Sequence, residues 1–279
     1  MDDQQSIGSG LREIALFAGA GGGILGGHLL GWRTICAVER DPYAANILAA
    51  RQNDGHLPTF PIWDDVCTFD SVPWRGRCDV VSGGFPCQDI STAGRGAGID
   101  GERSGLWREM ARIIREVEPR YAFVENVPAL RSRGLGRVLG DLAEMGYDAR
   151  WCVLGAVDAG APQRRDRIWI LADSNRQRKL QSGGIVPEGG QRIGNRGEDV
   201  CIPKGARLER SIAAGDSCTR GCTAEHGSGR RRSDWFGDEP DVGRVAHGVA
   251  DRVDRLRAIG NGQVPAVAAL AWRILGGPG

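Results

Sequence analysis

Several short stretches of the chain carry side chains whose types and spacing could do chemistry. The first is Gly19-Ala20-Gly21-Gly22-Gly23, in which Gly21, Gly23 and Gly26 spell G-x-G-x-x-G. Glycines after a strand let the backbone approach a ligand at a helix N-terminus. Glu39 ends the next predicted strand, where a carboxylate can accept both hydroxyls of a ribose. Together they fit NAD, FAD or S-adenosylmethionine, and a tight turn packing helix on strand would explain the glycines alone. The second stretch is Gly83-Gly84-Phe85-Pro86-Cys87-Gln88. Cys87 could be a nucleophile if its thiolate is stabilised. The other seven cysteines read as small apolar residues. The third is Glu125-Asn126-Val127, an acid at a strand end next to that of Cys87. The fourth is Gln163-Arg164-Arg165-Asp166-Arg167. On an extended segment, residues at i and i+2 share a face, so Arg165 and Arg167 could converge on one polar ligand. The last is Gly260-Asn261-Gly262-Gln263-Val264-Pro265, read as a turn.

These residues need elements to hold them. Ile14–Phe17, Thr34–Glu39, Cys78–Ser82, Tyr121–Val124, Trp151–Leu154 and Ile168–Leu171 read as buried strands. Asp41-Pro42 reads as the N-cap and first residue of a helix. Ser104 is a candidate cap for a helix with apolar positions Leu106, Met110, Ile113, Ile114 and Val117, ended by Pro119. Leu135 to Met145 forms another helix, stopped by Gly146, and Val264 to Ile274 a last one. Alternating strands and helices predict an α/β fold, a Rossmann-like, doubly wound, mostly parallel sheet with a small irregular insert.

The bulk composition narrows the class without naming a partner. The chain has 279 residues, 41% hydrophobic and 25% charged, enough to bury a core. No apolar run approaches the length of a membrane span, and Met1–Gly10 lacks the apolar stretch of a secretory signal, so a cytoplasmic protein is expected. The 36 bases and 35 acids nearly cancel. They are unevenly placed: residues 174–233 hold twelve bases and six acids, with Arg230-Arg231-Arg232 among them, and no regular period. Three segments follow: 1–173, a catalytic and cofactor-binding domain; 174–243, a small insert; and 244–279, returning to the first. Cys218, Cys222 and His226 match no common zinc spacing and lack a fourth ligand, so no metal is expected.

In this order and at these separations, the motifs resemble the DNA (cytosine-5) methyltransferases. The resemblance rests on Phe17-Ala18-Gly19-Ala20-Gly21-Gly22, Glu39, Pro86-Cys87-Gln88, Glu125-Asn126-Val127, Gln163-x-Arg165-x-Arg167 and Gly260-Asn261-Gly262. It implies a fold that uses S-adenosylmethionine, held by Phe17 (on the adenine), Gly19, Gly21, Glu39 (on the ribose), Asp65 (on the adenine amino group, with Asp64 adjacent), Pro86, Leu106 and Asn261. It implies Cys87 as nucleophile, Glu125 as the acid holding the base, and Arg165 and Arg167 as anchors of the pocket. Three positions depart from the family pattern. Ala15 stands where an acid is usual, Arg40 follows Glu39 where an apolar residue is frequent, and Gly262-Gln263 precedes Val264. These bear on cofactor affinity and remove no reacting group.

The implied chemistry has a physical logic. Cytosine C5 is a weak nucleophile, and addition of the Cys87 thiolate to C6 pushes electrons onto it. Charge builds on N3 and O2, where a protonated Glu125 and Arg165 would meet it. Glu125 then needs a raised pKa, which burial supplies. In a duplex the base must be flipped out, and the glycine-rich loop from Asp89 to Gly105, with Arg95 and Arg103, suits closure over it. The resemblance thus implies a monomeric enzyme of DNA methylation acting on duplex DNA, with the 174–243 insert touching the target, and it leaves room for a companion restriction endonuclease. The alternatives are methylation of tRNA, a binding protein without turnover, and an oxidoreductase; the last leaves Cys87, Glu125 and Arg165 unexplained.

Overall fold

The computed structural model describes residues 10–86, 105–174 and 252–278. Cys87, the cap candidate Ser104, all of the expected closing loop except Gly105, and all of the 174–243 insert except Ser174 lie outside the described residues.

Seven strands form one sheet in the order β3-β2-β1-β4-β5-β7-β6. They are β1 (Arg12–Leu16), β2 (Arg33–Val38), β3 (Ile62–Trp63), β4 (Val80–Gly83), β5 (Tyr121–Asn126), β6 (Tyr147–Leu154) and β7 (Arg167–Ser174). The pairings β1–β2, β1–β4, β2–β3 and β4–β5 are parallel, and only β7 runs against its neighbours. This is the mostly parallel, doubly wound sheet that the alternation of elements predicts.

Both faces are covered, which explains why the central strands read as apolar runs. Successive residues go to opposite cores. Ile14 and Leu16 pack on one side with α3 (Leu106–Val117), the short α4 (Leu130–Arg133) and α5 (Leu135–Glu144), while Ala15 faces Leu48 of α2 (Pro42–Asn53) and Phe60. In β5, Ala122 and Val124 join the first core and Tyr121 and Phe123 the opposite one. The helix starts follow local chemistry. Asp41 caps α2 by accepting from the amides of Tyr43 at 2.9 Å and Ala44 at 3.3 Å, with Pro42 next, as expected. All six expected strands differ from the observed ones in length or by a shift of a residue or more, and partly exposed stretches such as Asp148–Arg150 add no apolar signal.

The chain's last helix, α7 (Pro265–Ile274), closes the fold. Trp272 is fully buried and meets Trp32, Tyr121 and Phe123 edge-on, each pair with ring centroids 4.5–5.4 Å apart. Its first turn lies on α1 (Gly22–Leu29), where a Cβ on Gly26 would come within 2.7 Å of the Ala268 Cβ. The segment just before α7 is therefore carried to the N-terminus of α1. That segment was expected to be a plain turn; instead Gly260 and Asn261 end a helix, α6 (Arg252–Asn261). Its apolar residues Val253, Leu256 and Ile259 are exposed.

Strand order turns at β1 and β4. From β1 the chain moves outward through β2 and β3, then returns to β4 and goes the other way. At such a switch point the loops leaving the two strands diverge and open a crevice at their C-terminal ends.

Candidate active site

The residues leaving β1 enter unusual backbone space. Phe17, Gly19 and Gly21 have φ of +52°, +55° and +91°. The glycines adopt this without strain, and Phe17 does not. The turn brings the Gly19 amide to within 2.6 Å of Glu39 Oε2, and the Asp41 amide donates to Glu39 Oε1 at 2.7 Å. Glu39 is thus fixed in one orientation by two backbone donors, with a further lone pair free on each oxygen.

Above these groups lies a cavity of about 420 Å³. Phe17, Gly19, Glu39, Asp65, Pro86, Leu106 and Asn261 all line it, and Asp64 does not. The Asp65 carboxylate accepts from the Cys67 amide at 2.9 Å, which pulls its pKa below the ordinary value and keeps it an acceptor. A Cβ on Gly19 would meet nothing within 4 Å, so no described side chain covers the Gly19 Cα. Gly21 stands apart. It caps α1 rather than lining the cavity, and a Cβ there would come 2.8 Å from Leu48. Arg40, Asp41 and Arg257 also line the wall, with Arg257 3.6 Å from Asp41.

The end of β5 supplies the opposite wall. Glu125 is only 8% exposed and lines the same cavity. Burial pushes its carboxyl up to about 7, against the pull of Arg167, Arg165 and a hydrogen bond from Gln263. Arg167 Nε lies 2.9 Å from Glu125 Oε1. Asn126 accepts from the Val127 amide at 2.8 Å and donates to the Phe85 carbonyl at 3.1 Å. That second bond ties the segment leading to Pro86 and Cys87 to the end of β5. Gly84 matters sterically: a Cβ there would overlap the Glu125 carboxyl.

The two arginines divide their tasks. Arg165 has φ of +69°, so the segment is not extended at that residue. Its guanidinium donates to the carbonyls of Gly260, at 2.7 Å, and of Gly262. Arg167 alone lines the cavity and pairs with Glu125. Both still bear on Glu125 electrostatically.

Residues from the ends of β1 to β5, the start of β7, and helices α3 and α6 thus build one crevice. Arg257, Gln263 and the stapling role of Asn126 were not anticipated. The available signals were the departure at Gly262-Gln263 and the three-residue spacing of Val253, Leu256 and Ile259.

This geometry accords with what the chain resembles. The family model described as C-5 cytosine-specific DNA methylase matches residues 11–194. A Type II methyltransferase of Bacillus subtilis, M2.BsuMI, is 36% identical over 170 residues, covering 58% of this chain and 42% of that protein. M.AquIA of Picosynechococcus is 32% identical over 182 residues, covering 58% of this chain and 71% of its own length. The chain spans about half or less of most of the curated relatives it matches, 42% of the Bacillus protein and 50% of M.HhaI from Haemophilus parahaemolyticus. Among solved structures, the Entamoeba histolytica methyltransferase EhMeth superposes with a TM-score of 0.50 at 17% identity, over 60% of this chain and 53% of that one, a likeness of fold alone. With the family model covering well over half its residues, the chain belongs to the C-5 cytosine-specific DNA methylases.

Proposed function

We propose that the chain methylates C5 of cytosine in duplex DNA at a short recognition site, through a covalent adduct between Cys87 and C6 of a flipped base. The observation that carries this reading is the placement of Glu125. A carboxyl pushed to about 7 lies on the same cavity as Phe17, Gly19 and Glu39, with Pro86, the residue before Cys87, on its rim.

The cavity fits S-adenosylmethionine by its own chemistry. Its volume suits a nucleoside-sized ligand. Glu39 offers a preset pair of acceptors for vicinal hydroxyls, and Phe17 an apolar face. Asp65 is an ionised acceptor for an amino group, and the uncovered Gly19 lets a ligand approach the backbone. Leu106 and Asn261 would close the pocket. Bound there, S-adenosylmethionine would supply the electrophilic methyl group that C5 accepts.

The remaining chemistry belongs to this chain. The Cys87 thiolate adds to C6 and raises electron density at C5; once C5 carries the methyl group, loss of the C5 proton to a base expels the thiolate and restores the ring. Negative charge then grows on N3 and O2 of the ring. Protonated Glu125 donates to N3, and with a carboxyl near 7 it holds that proton for about half the time at neutral pH. Arg167, already bound to Glu125, steadies the carboxyl as its proton shifts toward the base, and Arg165 opposes charge at O2. The basic part of the insert, residues 174–233, would contact phosphates of the target.

Trapping tests the covalent step. With S-adenosylmethionine present, a duplex carrying 5-fluorocytosine has no C5 proton to lose after methyl transfer, so the adduct should persist and migrate with the protein in a denaturing gel. Cys87→Ala should form none. An adduct of equal yield with Cys87→Ala would refute the mechanism.

A further inference from the structure

The segment before α7 carries one side chain that the proposed chemistry does not use. Gln263 lies where the described elements crowd most closely around Glu125. Its backbone carbonyl occupies the place a Cβ on Gly22 would need, and its side-chain Oε1 the place a Cβ on Gly23 would need. On the other side, the Cβ position of Gly84 lies 3.1 Å from Gln263 Nε2 and also against Glu125 Oε2. Three residues without side chains, Gly22, Gly23 and Gly84, thus leave the slot in which Gln263 lies beside Glu125. Arg165 fixes the slot's far end by holding the carbonyls of Gly260 and Gly262.

We propose that Gln263 is a positioning residue for Glu125: its amide N–H donates to the carboxyl, holds it against the cavity, and sets how firmly it keeps its proton. The orientation is fixed by the slot, with Nε2 toward Gly84 and the carboxyl and Oε1 toward Gly23. A donor to a carboxylate favours the charged form, and the Gln263 bond acts on Glu125 in that direction. The other groups facing Glu125 are Arg167 at the start of β7 and Arg165 before it, both cationic. Across the cavity stand Glu39, Asp65 and Arg257. Against the burial that raises Glu125, Gln263 is the one neutral donor among its partners in the described residues, so its loss changes the proton affinity without removing a charge.

The inference rests on the reading of Glu125 as the donor to the base, and its test separates the two. The full chain is labelled with ¹³C at glutamate side-chain carboxyls, and the Glu125 resonance is assigned by its disappearance in Glu125→Gln. In Gln263→Met, which keeps the volume and lacks the donor, the Glu125 titration midpoint should rise by about one pH unit, the size of one hydrogen bond to a charged group. The alkaline limb of kcat/KM for methyl transfer should move up by the same amount, with affinity for S-adenosylmethionine changed less than about twofold. Gln263→Asn, whose amide stops one methylene short, should behave alike and serves if the Met variant fails to fold. An unmoved midpoint in a folded variant, whatever the rate, would overturn the proposal and leave Gln263 a packing residue. If the midpoint moves while the wild-type protein methylates no DNA, the role of Gln263 stands and the functional reading falls.

Discussion

Two acids are buried in the same sheet, and burial pushes both up to about 7, yet they are placed for different ends. Glu13, in β1, is wholly inaccessible. Its partners are hydroxyls from the strands on either side: Ser82 of β4 donates to Oε1 at 2.6 Å and Thr34 of β2 to Oε2 at 2.7 Å. Glu125, in β5, is nearly as buried but lines the large cavity and faces a guanidinium 2.9 Å away. Desolvation raises a carboxyl wherever it is buried, and the partners decide what the proton can do. Hydroxyls donate to a carboxylate and accept from a carboxylic acid, so Glu13 can remain satisfied in either state while staying sealed in. A fixed cation beside an open cavity lets Glu125 give up its proton to a ligand and be stabilised as it does so. Glu13 is read as a structural element tying three adjacent strands together, and Glu125 as the working acid.

The comparison breaks most visibly at Glu125. Glu125→Gln keeps the shape but cannot pass between charge states, and methyl transfer measured as an initial rate should fall by about 10²–10⁴-fold. Affinity for S-adenosylmethionine should be preserved. The same change at Glu13 should leave the rate near wild type and alter stability instead. A carboxyl whose pKa is raised on folding favours the folded state fully below its unfolded value, and this contribution is lost as pH rises through the folded value. For Glu13 that window runs from about 4.5 to about 7. Glu13→Gln should flatten the decline of stability across it by roughly 3 kcal/mol, read from denaturant titrations at several pH values. A large loss of turnover in Glu13→Gln at pH 6, with stability retained, would erase the distinction.

A third acid sharpens the contrast from the ligand side. Glu39 is held by two amides at the cavity rim, and Glu39→Gln should weaken S-adenosylmethionine binding by about 10-fold to 100-fold in calorimetry. The smallest effect is expected where neither acid is touched. Gly21→Ala places a Cβ at φ of +91° and against Leu48, which should cost about 1–2 kcal/mol of stability with cofactor affinity little changed.

The same contrast shows what could be read from residue order. Glu125 and Glu39 stood out because each ends an apolar run, the position where an open sheet puts its ligands. The sheet itself was legible because β1, β4 and β5 are covered on both faces and so carry nearly unbroken apolar residues. Glu13 was invisible by the same logic. It lies inside a strand, two residues before Ala15, and only the pairing of β1 with β2 and β4 supplies its hydroxyl partners. The division of labour between Arg165 and Arg167 depends on one left-handed residue, which no spacing rule anticipates. Strand β3 has two residues, too short to carry a period, and α6 exposes the apolar positions that would have marked it. Gln263 was legible only as a departure from a motif, because its slot is made by glycines from α1 and from the end of β4.

We propose that this crevice delivers a methyl group to carbon 5 of cytosine in a DNA duplex. The direct measurement is incubation of the full chain with methyl-labelled S-adenosylmethionine and either random-sequence duplex DNA or tRNA, followed by hydrolysis and chromatography of the labelled base. The account predicts label in 5-methylcytosine from the duplex, absent with Cys87→Ala. Label confined to tRNA, or found on an exocyclic nitrogen, or no transfer by a protein that binds both ligands, would contradict it.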